Sequence, residues 1–169
     1  LRLERGDLRN AIQAFDVCLK LRPDWLEALI NLGLASWRSG ERDTAADAFS
    51  RAVQVQPNNV DALKGLAAIA VEKEDHGRAL DYQAKLLDLG ERSPELFYNT
   101  GLLLQKTGQL DDAVRLYREA LNERPNFAEA LLNLGHALRQ QGMQDEARSC
   151  WRQALEVRPE LAQGYFSEA

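Results

Sequence analysis

Residues 28 to 40 read ALINLGLASWRSG, and residues 130 to 142 read ALLNLGHALRQQG. Seven of the thirteen letters agree, and the two stretches begin 102 residues apart. If 102 is a multiple of a shorter structural period, other landmarks should recur at the same period elsewhere in the chain.

Prolines, glycines and alanines all recur with a period of 34 residues. Pro23, Pro57, Pro125 and Pro159 lie 34, 68 and 34 residues apart, and Glu91 occupies the position where the series lacks a proline. Two glycine series and one unbroken alanine series keep the same spacing: Gly6, Gly40, Gly108 and Gly142; Gly33, Gly101 and Gly135; Ala11, Ala45, Ala79, Ala113 and Ala147. The chain is therefore a repeat protein, and 102 is three periods.

Within a period the apolar residues follow helical spacing. One run is Leu29, Leu32, Ala35 and Ser36, and a second is Ala45, Ala48, Phe49, Ala52 and Val53. Intervals of three and four residues predict one face of an α-helix, so each period contains two amphipathic helices. Between them, SGERD offers a glycine suited to a helix C-terminus and acidic residues suited to the next N-terminus. The proline then ends the second helix.

This pattern resembles the tetratricopeptide repeat, a 34-residue unit with W, L-G, Y, A, F and P at set positions. Residues 26 to 59 supply Leu29, Leu32-Gly33, Ser36, Ala45, Phe49 and Pro57 for those positions. Residues 94 to 127 supply Phe97, Thr100-Gly101, Leu104, Ala113, Tyr117 and Pro125, and residues 128 to 161 supply Leu131, Leu134-Gly135, Leu138, Ala147, Trp151 and Pro159.

The resemblance implies an all-α fold, a right-handed superhelical solenoid of antiparallel helix pairs. We expect a single array: a partial repeat at 1–25, repeats at 26–59, 60–93, 94–127 and 128–161, and the start of a further helix at 162–169. Both ends cut through repeats, which suggests a piece of a longer array. Small residues such as Gly33 and Ala45 should allow close helix approach, and Phe49, Tyr117 and Trp151 should fill the space between units.

Residues 60 to 93 depart from the pattern. Ala67 replaces the glycine, Gln83 replaces the large aromatic residue, and EKEDHG replaces the glycine-bearing turn. The stack is expected to bend or loosen here, and we interpret the departure as tolerated drift rather than as a functional hinge.

The composition argues against nucleic-acid binding, a membrane span and secretion. The net charge is −5, and each repeat or terminal segment carries between +1 and −2, so no basic stripe indicates nucleic-acid binding. No apolar run suggests a membrane span or secretory signal. Cys18 and Cys150 match no disulfide framework, zinc or redox spacing, so we expect small packing residues and a reducing, cytoplasmic location.

No pattern of catalytic or metal-binding residues is present. His76 lies in the irregular turn and His136 lies within a predicted helix, and neither joins cysteines or carboxylates at ligand spacing. The glycines follow the repeat period rather than a phosphate-binding loop. We therefore expect a protein that is not an enzyme and holds no metal or cofactor.

In the family, the first helix of each repeat lines a concave groove that binds peptides or partner segments. The resemblance assigns the following residues to this groove: Ile30, Asn31, Leu34, Trp37, Arg38, Lys64, Tyr98, Asn99, Leu102, Lys106, Leu132, Asn133, His136 and Arg139. Partner specificity is expected where the copies differ, at Leu34 to Trp37 and at His136 to Arg139.

Two features of this set favour a protein or peptide partner. Asn31, Asn99 and Asn133 can each donate to and accept from a peptide backbone, although asparagine is also a frequent consensus residue there. The apolar members indicate an interaction surface, and Trp37 is the sharpest candidate because the buried positions of its helix are already occupied by other residues. The cations alternate with Glu27, Asp61, Glu72 and Glu95, so no carboxylate clamp is predicted.

Three functions remain open. The first is a non-catalytic scaffold that binds an extended or helical segment of a partner protein. The second is the substrate-recruiting arm of a larger enzyme, because arrays with recurring groove asparagines resemble those fused to O-linked glycosyltransferases. The third is a structural scaffold that forms homo-oligomers through exposed terminal repeat faces.

Overall fold

The computed structural model describes residues 5–161 of the chain, with side chains from residue 7 onward. The predicted further helix at 162–169 lies outside the described residues. Every regular element in the described part of the chain is helical, so the predicted all-α fold class is confirmed. The helices are α1 (Arg5–Leu21), α2 (Leu26–Ser39), α3 (Arg42–Val55), α4 (Val60–Glu72), α5 (His76–Asp88), α6 (Pro94–Lys106), α7 (Leu110–Glu123), α8 (Ala128–Gln140) and α9 (Gln144–Val157), followed by a 3-10 turn (Pro159–Leu161).

Helix ends follow the glycines and prolines of the repeat. Gly40 follows α2 with φ of 90°, and its N–H donates to the carbonyls of Ser36 and Trp37. Gly108 and Gly142 have the same left-handed conformation after α6 and α8. The second helices α3, α7 and α9 end two residues before Pro57, Pro125 and Pro159. The short turns at Gly40, Gly108 and Gly142 reverse the chain between the first and second helix of a repeat, so these two helices run antiparallel.

The chain divides into two compact units, Leu1–Leu89 and Gly90–Ala169. The boundary falls at the end of the repeat whose sequence departs from the pattern. In the first unit, consecutive helices from α1 to α5 pack in order, and α2 also contacts α4. In the second unit, α6 to α9 pack in order, and α6 also contacts α8. The first helices of successive repeats therefore lie side by side within each unit.

Phe49 is the centre of packing in the first unit. Its ring is buried between α2 and α4, and a β-carbon added at Gly33 or Gly65 would lie 2.5 Å or 2.4 Å from it. Leu29 and Ala45 complete the surrounding core. This confirms that glycine allows close helix approach and that the large aromatic residue fills space against the next repeat.

The second unit repeats this arrangement with larger rings. Tyr117 is buried against Gly101, and Trp151 lies against Gly135. The Tyr117 hydroxyl donates to Gln105 Oε1 at 2.8 Å, and burial raises the pKa of Tyr117 well above its usual value. The Trp151 Nε1 donates to the Leu132 carbonyl at 3.3 Å. Each ring thus fills volume and also ties two helices of its unit together.

Candidate partner-binding surfaces

In the first unit, α2 and α4 present an exposed face with a mixed apolar and polar surface. Asn31, Leu34 and Arg38 on α2 are exposed, and so is Lys64 on α4. Leu34 retains 42% of its accessible area, and Val71 on α4 retains 45%. Together with the exposed Ala68, these residues form what we call the unit-1 face: Asn31, Leu34, Arg38, Lys64, Ala68 and Val71.

Trp37 and Ile30 differ from the other predicted residues of α2 because both are half-buried. Both side chains pack against the core of the first unit. The guanidinium of Arg42 lies over the Trp37 ring at 4.3 Å, and its Nη1 donates to the Trp37 carbonyl at 2.5 Å. Trp37 therefore contributes to packing, and its contact with a partner stays a prediction.

Two ion pairs join successive repeats near the unit-1 face. Arg42 Nε donates to Glu72 Oε2 at 2.5 Å, and Nη2 donates to Oε1 at 3.3 Å. Lys73 Nζ donates to Asp43 Oδ1 at 2.8 Å, and this hydrogen bond lowers the pKa of the Asp43 carboxyl. These contacts hold α3 to the C-terminal end of α4, and they occupy Glu72, one of the acidic residues of the groove pattern.

The second unit presents a more closed surface on α6 and α8. Asn99, Lys106 and Arg139 are exposed, whereas Tyr98, Leu102, Asn133 and His136 are half-buried. Leu132 is only 7% exposed and belongs to a core cluster with Leu131 and Ala154. Leu132 packs inside the second unit, against side chains that include Trp151, and its place in the groove stays a prediction.

Asn133 uses the donor side of its amide within the protein. Its Nδ2 donates to Tyr98 Oη and to the Glu129 carbonyl, both at 3.0 Å. The Tyr98 ring lies 4.9 Å from the Phe127 ring and 6.1 Å from the Tyr117 ring. Both amide hydrogens of Asn133 are thus engaged, so a partner meets chiefly an acceptor there, while Asn31 and Asn99 are exposed.

His136 and Arg139 both contact Trp151. The His136 ring lies 5.4 Å from the Trp151 ring, and the Arg139 guanidinium lies 5.5 Å from the ring centre. Burial and the nearby positive charge of Arg139 lower the pKa of the His136 imidazole. His136 and Arg139, at which partner specificity is expected, therefore lie against Trp151, the packing aromatic residue of their own repeat.

Metal sites, membrane spans and free thiols are the remaining features of the described residues that bear on function. No group of three or more histidines, cysteines, aspartates and glutamates suited to a metal ion occurs among residues 5–161. In the same range, no helix has the length and apolar character needed to cross a membrane. Cys18 and Cys150 are half-buried free thiols, and burial raises the pKa of Cys150.

Val71 and Ala68 occupy groove positions of the family pattern in residues 60 to 93, where the repeat register places them. Both lie at positions of their repeat that correspond to selected residues, Val71 to Trp37 and Ala68 to Leu34.

Family models described as tetratricopeptide repeats match this chain over most of its length. One matches residues 1–54 and 30–94, a second matches residues 128–161, and a model described as TPR repeat matches residues 106–142. The chain belongs to the tetratricopeptide repeat family.

Curated relatives of this repeat protein are longer. The human protein O-mannosyl-transferase TMTC1 is 28% identical over 129 residues, which cover 74% of this chain and 15% of the relative. Cellulose synthase operon protein C of Pseudomonas fluorescens is 30% identical over 118 residues, covering 70% of this chain and 9% of the relative. The tetratricopeptide chain thus spans a small segment of each of these proteins.

Solved structures share the fold over nearly the whole chain. A crystal structure of MamA superimposes with a TM-score of 0.83 at 25% identity, covering 94% of this chain and 92% of that chain. YrrB, described as a TPR protein with an unusual peptide-binding site, has a TM-score of 0.83 at 23% identity, covering 91% of this chain and 79% of its own. The repeat fold is therefore shared, at identities too low to carry residue roles across.

Proposed function

We propose that this tetratricopeptide protein is a non-catalytic interaction scaffold that binds an extended or helical segment of a partner protein. The observation that carries the proposal is the unit-1 face, where Leu34 and Val71 leave 42% and 45% of their area in solvent on adjacent first helices. Clustered apolar side chains rimmed by polar groups are typical of protein-interaction sites.

The polar groups of this face suit a peptide backbone. Asn31 is exposed beside Leu34, and its amide can donate to and accept from a main chain without reading the partner's side chains. Arg38 at the end of α2 adds a positive charge next to the apolar residues. A partner segment would thus bury one or two apolar side chains and pair its backbone with asparagine.

Asn99, Lys106 and Arg139 are proposed to serve the same role in the second unit. Asn133 is proposed as an acceptor only, because its donors go to Tyr98 and Glu129. Trp37, Ile30 and Leu132 are proposed to support the surfaces from behind rather than to provide the main contact area, since they pack against their cores.

The experiment uses peptides selected on the intact chain from a displayed random library, titrated by fluorescence anisotropy. Leu34→Ala with Val71→Ala should weaken binding by about tenfold or more, because each removes buried apolar area at the contact. Asn31→Ala should also weaken binding, because it removes an exposed amide of the unit-1 face. Val17→Ala is the matched control, since Val17 is an exposed apolar residue of a second helix, 57% exposed.

Circular dichroism melts of each variant separate binding from folding. The proposal fails if the Leu34 and Val71 substitutions leave affinity unchanged in a folded variant, whatever the effect of Val17→Ala. Trp37→Ala is expected to lower both the melting temperature and affinity, because its ring packs on the core and under Arg42.

A second candidate is the substrate-recruiting arm of a larger enzyme. It is favoured by the likeness to human protein O-mannosyl-transferases, TMTC1 at 28% identity and TMTC3 at 23%. The parent reading frame tests it directly: a glycosyltransferase domain in the same polypeptide supports this role, and its absence from the complete frame removes it.

A further inference from the structure

Glu74 has a backbone conformation that the other repeats assign to glycine. It lies between α4 and α5 with φ of 56°, whereas the equivalent residues Gly40, Gly108 and Gly142 have φ of 90°, 82° and 83°. A side chain with a β-carbon is strained in this left-handed region, and glycine is not. The turn before α5 therefore carries a cost that the other three turns avoid.

Gln83 in α5 is a buried polar residue at the position of the large aromatic residues. It is 4% exposed, and no donor in the described part of the chain reaches its Oε1. The equivalent residues in the other repeats are Phe49, Tyr117 and Trp151, which fill space against glycines. A buried acceptor without a partner loses its hydration without compensation, so Gln83 weakens the packing of α5.

Other contacts still favour the folded position of α5. Asp75 Oδ1 accepts from the Arg78 N–H at 3.1 Å and caps the helix. Ala79 and Leu86 are buried at 0% and 1% exposure. The destabilising features are thus concentrated in one turn and one side chain, while the rest of the helix packs normally.

We propose that the departure of residues 60 to 93 is more than tolerated drift and that α5 is a conformational device: it opens locally from α4 while α2 and α3 remain folded. In a repeat protein, stability is a sum of terms within repeats and between neighbours, so a helix with weakened terms opens before the rest. Both unfavourable features act on α5. Helix α3 carries neither, and α2 has a buried Ser36 Oγ without a partner but ends in a glycine turn. The opening uncovers the apolar side of α4, the helix that also carries Lys64 and Val71 of the unit-1 face.

Hydrogen exchange followed by mass spectrometry tests the proposal on the whole chain, under conditions where exchange reports the opening equilibrium. Amides of α5 should exchange at least about tenfold faster than those of α3 after correction for intrinsic rates. Two single variants should reduce this difference in exchange rate between α5 and α3. Glu74→Gly should slow exchange in α5 by about fivefold, and Gln83→Met, which keeps length without a polar atom, by about tenfold.

Gly40→Glu is the matched control, because it places the same side chain at the equivalent turn of residues 26 to 59. It should speed exchange in α2 and α3 and leave the ratio between α5 and α4 unchanged. Equal protection of α5 and α3 in the parent chain would overturn the proposal. So would a variant that slows exchange equally in α2, α3 and α5, since that result means the first unit opens as a whole.

Discussion

At the scale of single residues, one ring and two glycines hold the first unit together. Phe49 is buried on α3 between Gly33 of its own repeat and Gly65 of the next. A β-carbon added at Gly33 would meet Cδ1 and Cε1 of the ring, and one added at Gly65 would meet Cδ2 and Cε2 on the opposite edge. A larger residue is therefore tolerated less well at Gly33 or Gly65 than at a glycine that faces open space.

Gly33→Ala is predicted to lower the free energy of unfolding by about 1–3 kcal/mol, because its methyl group would lie 2.5 Å from the Phe49 ring. Gly77→Ala is the control. A β-carbon there meets only Asp75 Oδ1 at 3.8 Å, so alanine should raise stability by about 0.5 kcal/mol through reduced chain entropy. Urea titrations measure the free energy of unfolding of both variants. An unchanged value for Gly33→Ala would contradict the predicted steric clash with Phe49.

At the scale of helices, the ends are held in different ways from one repeat to the next. Asn59 and Ser93 cap α4 and α6 through side-chain oxygens, whereas Trp25 and Phe127 stand at the same positions before α2 and α8 without such a bond. Phe127 packs on Tyr98 instead. The same position thus stabilises a helix start by a hydrogen bond in some repeats and by ring packing in another.

Asn59→Ala is predicted to cost about 1 kcal/mol, because Asn59 Oδ1 accepts from the Ala62 N–H at 3.0 Å and this N–H would lose its partner. Gln54→Ala, on the exposed side of α3, serves as the control and should change stability by less than about 0.5 kcal/mol. Thermal and urea unfolding provide the comparison. Equal effects of the two substitutions would show that the cap bond contributes nothing measurable.

At the scale of the whole molecule, apolar surface is also exposed away from the unit-1 face. Leu21 and Val17 on α1 retain 85% and 57% of their area, and Trp25 retains 37%. Surface of this kind is suited to contact with another protein chain. Homo-oligomer formation through a terminal repeat face stays a prediction, and α1 is the helix on which it can be tested.

If α1 mediates self-association, Val17→Glu with Leu21→Glu should abolish it, because two charges would be buried at the contact. Sedimentation velocity over a range of concentrations measures the mass of the parent chain and the variant. Leu34→Glu on the unit-1 face is the matched control and should leave self-association unchanged. A monomer mass for the parent at every concentration removes the oligomer hypothesis.

The sequence alone determined the period, the helix pairs and the turns, and it placed small residues and large aromatic residues at set positions of the repeat. Local patterns suffice for these features, since a turn glycine, a proline stop and an apolar stripe act within a few residues. It also indicated where residues 60 to 93 depart from the pattern, and the left-handed Glu74 and buried Gln83 lie there.

Only the tertiary structure decided which side chains of the predicted groove are exposed. Leu132 is buried, Trp37 lies under Arg42, and Asn133 donates to Tyr98, 35 residues away. The bond from Arg42 to Glu72 likewise joins residues 30 positions apart. These outcomes depend on contacts between one repeat and the next, and the register of a single repeat carries no information about which side chains meet across that contact.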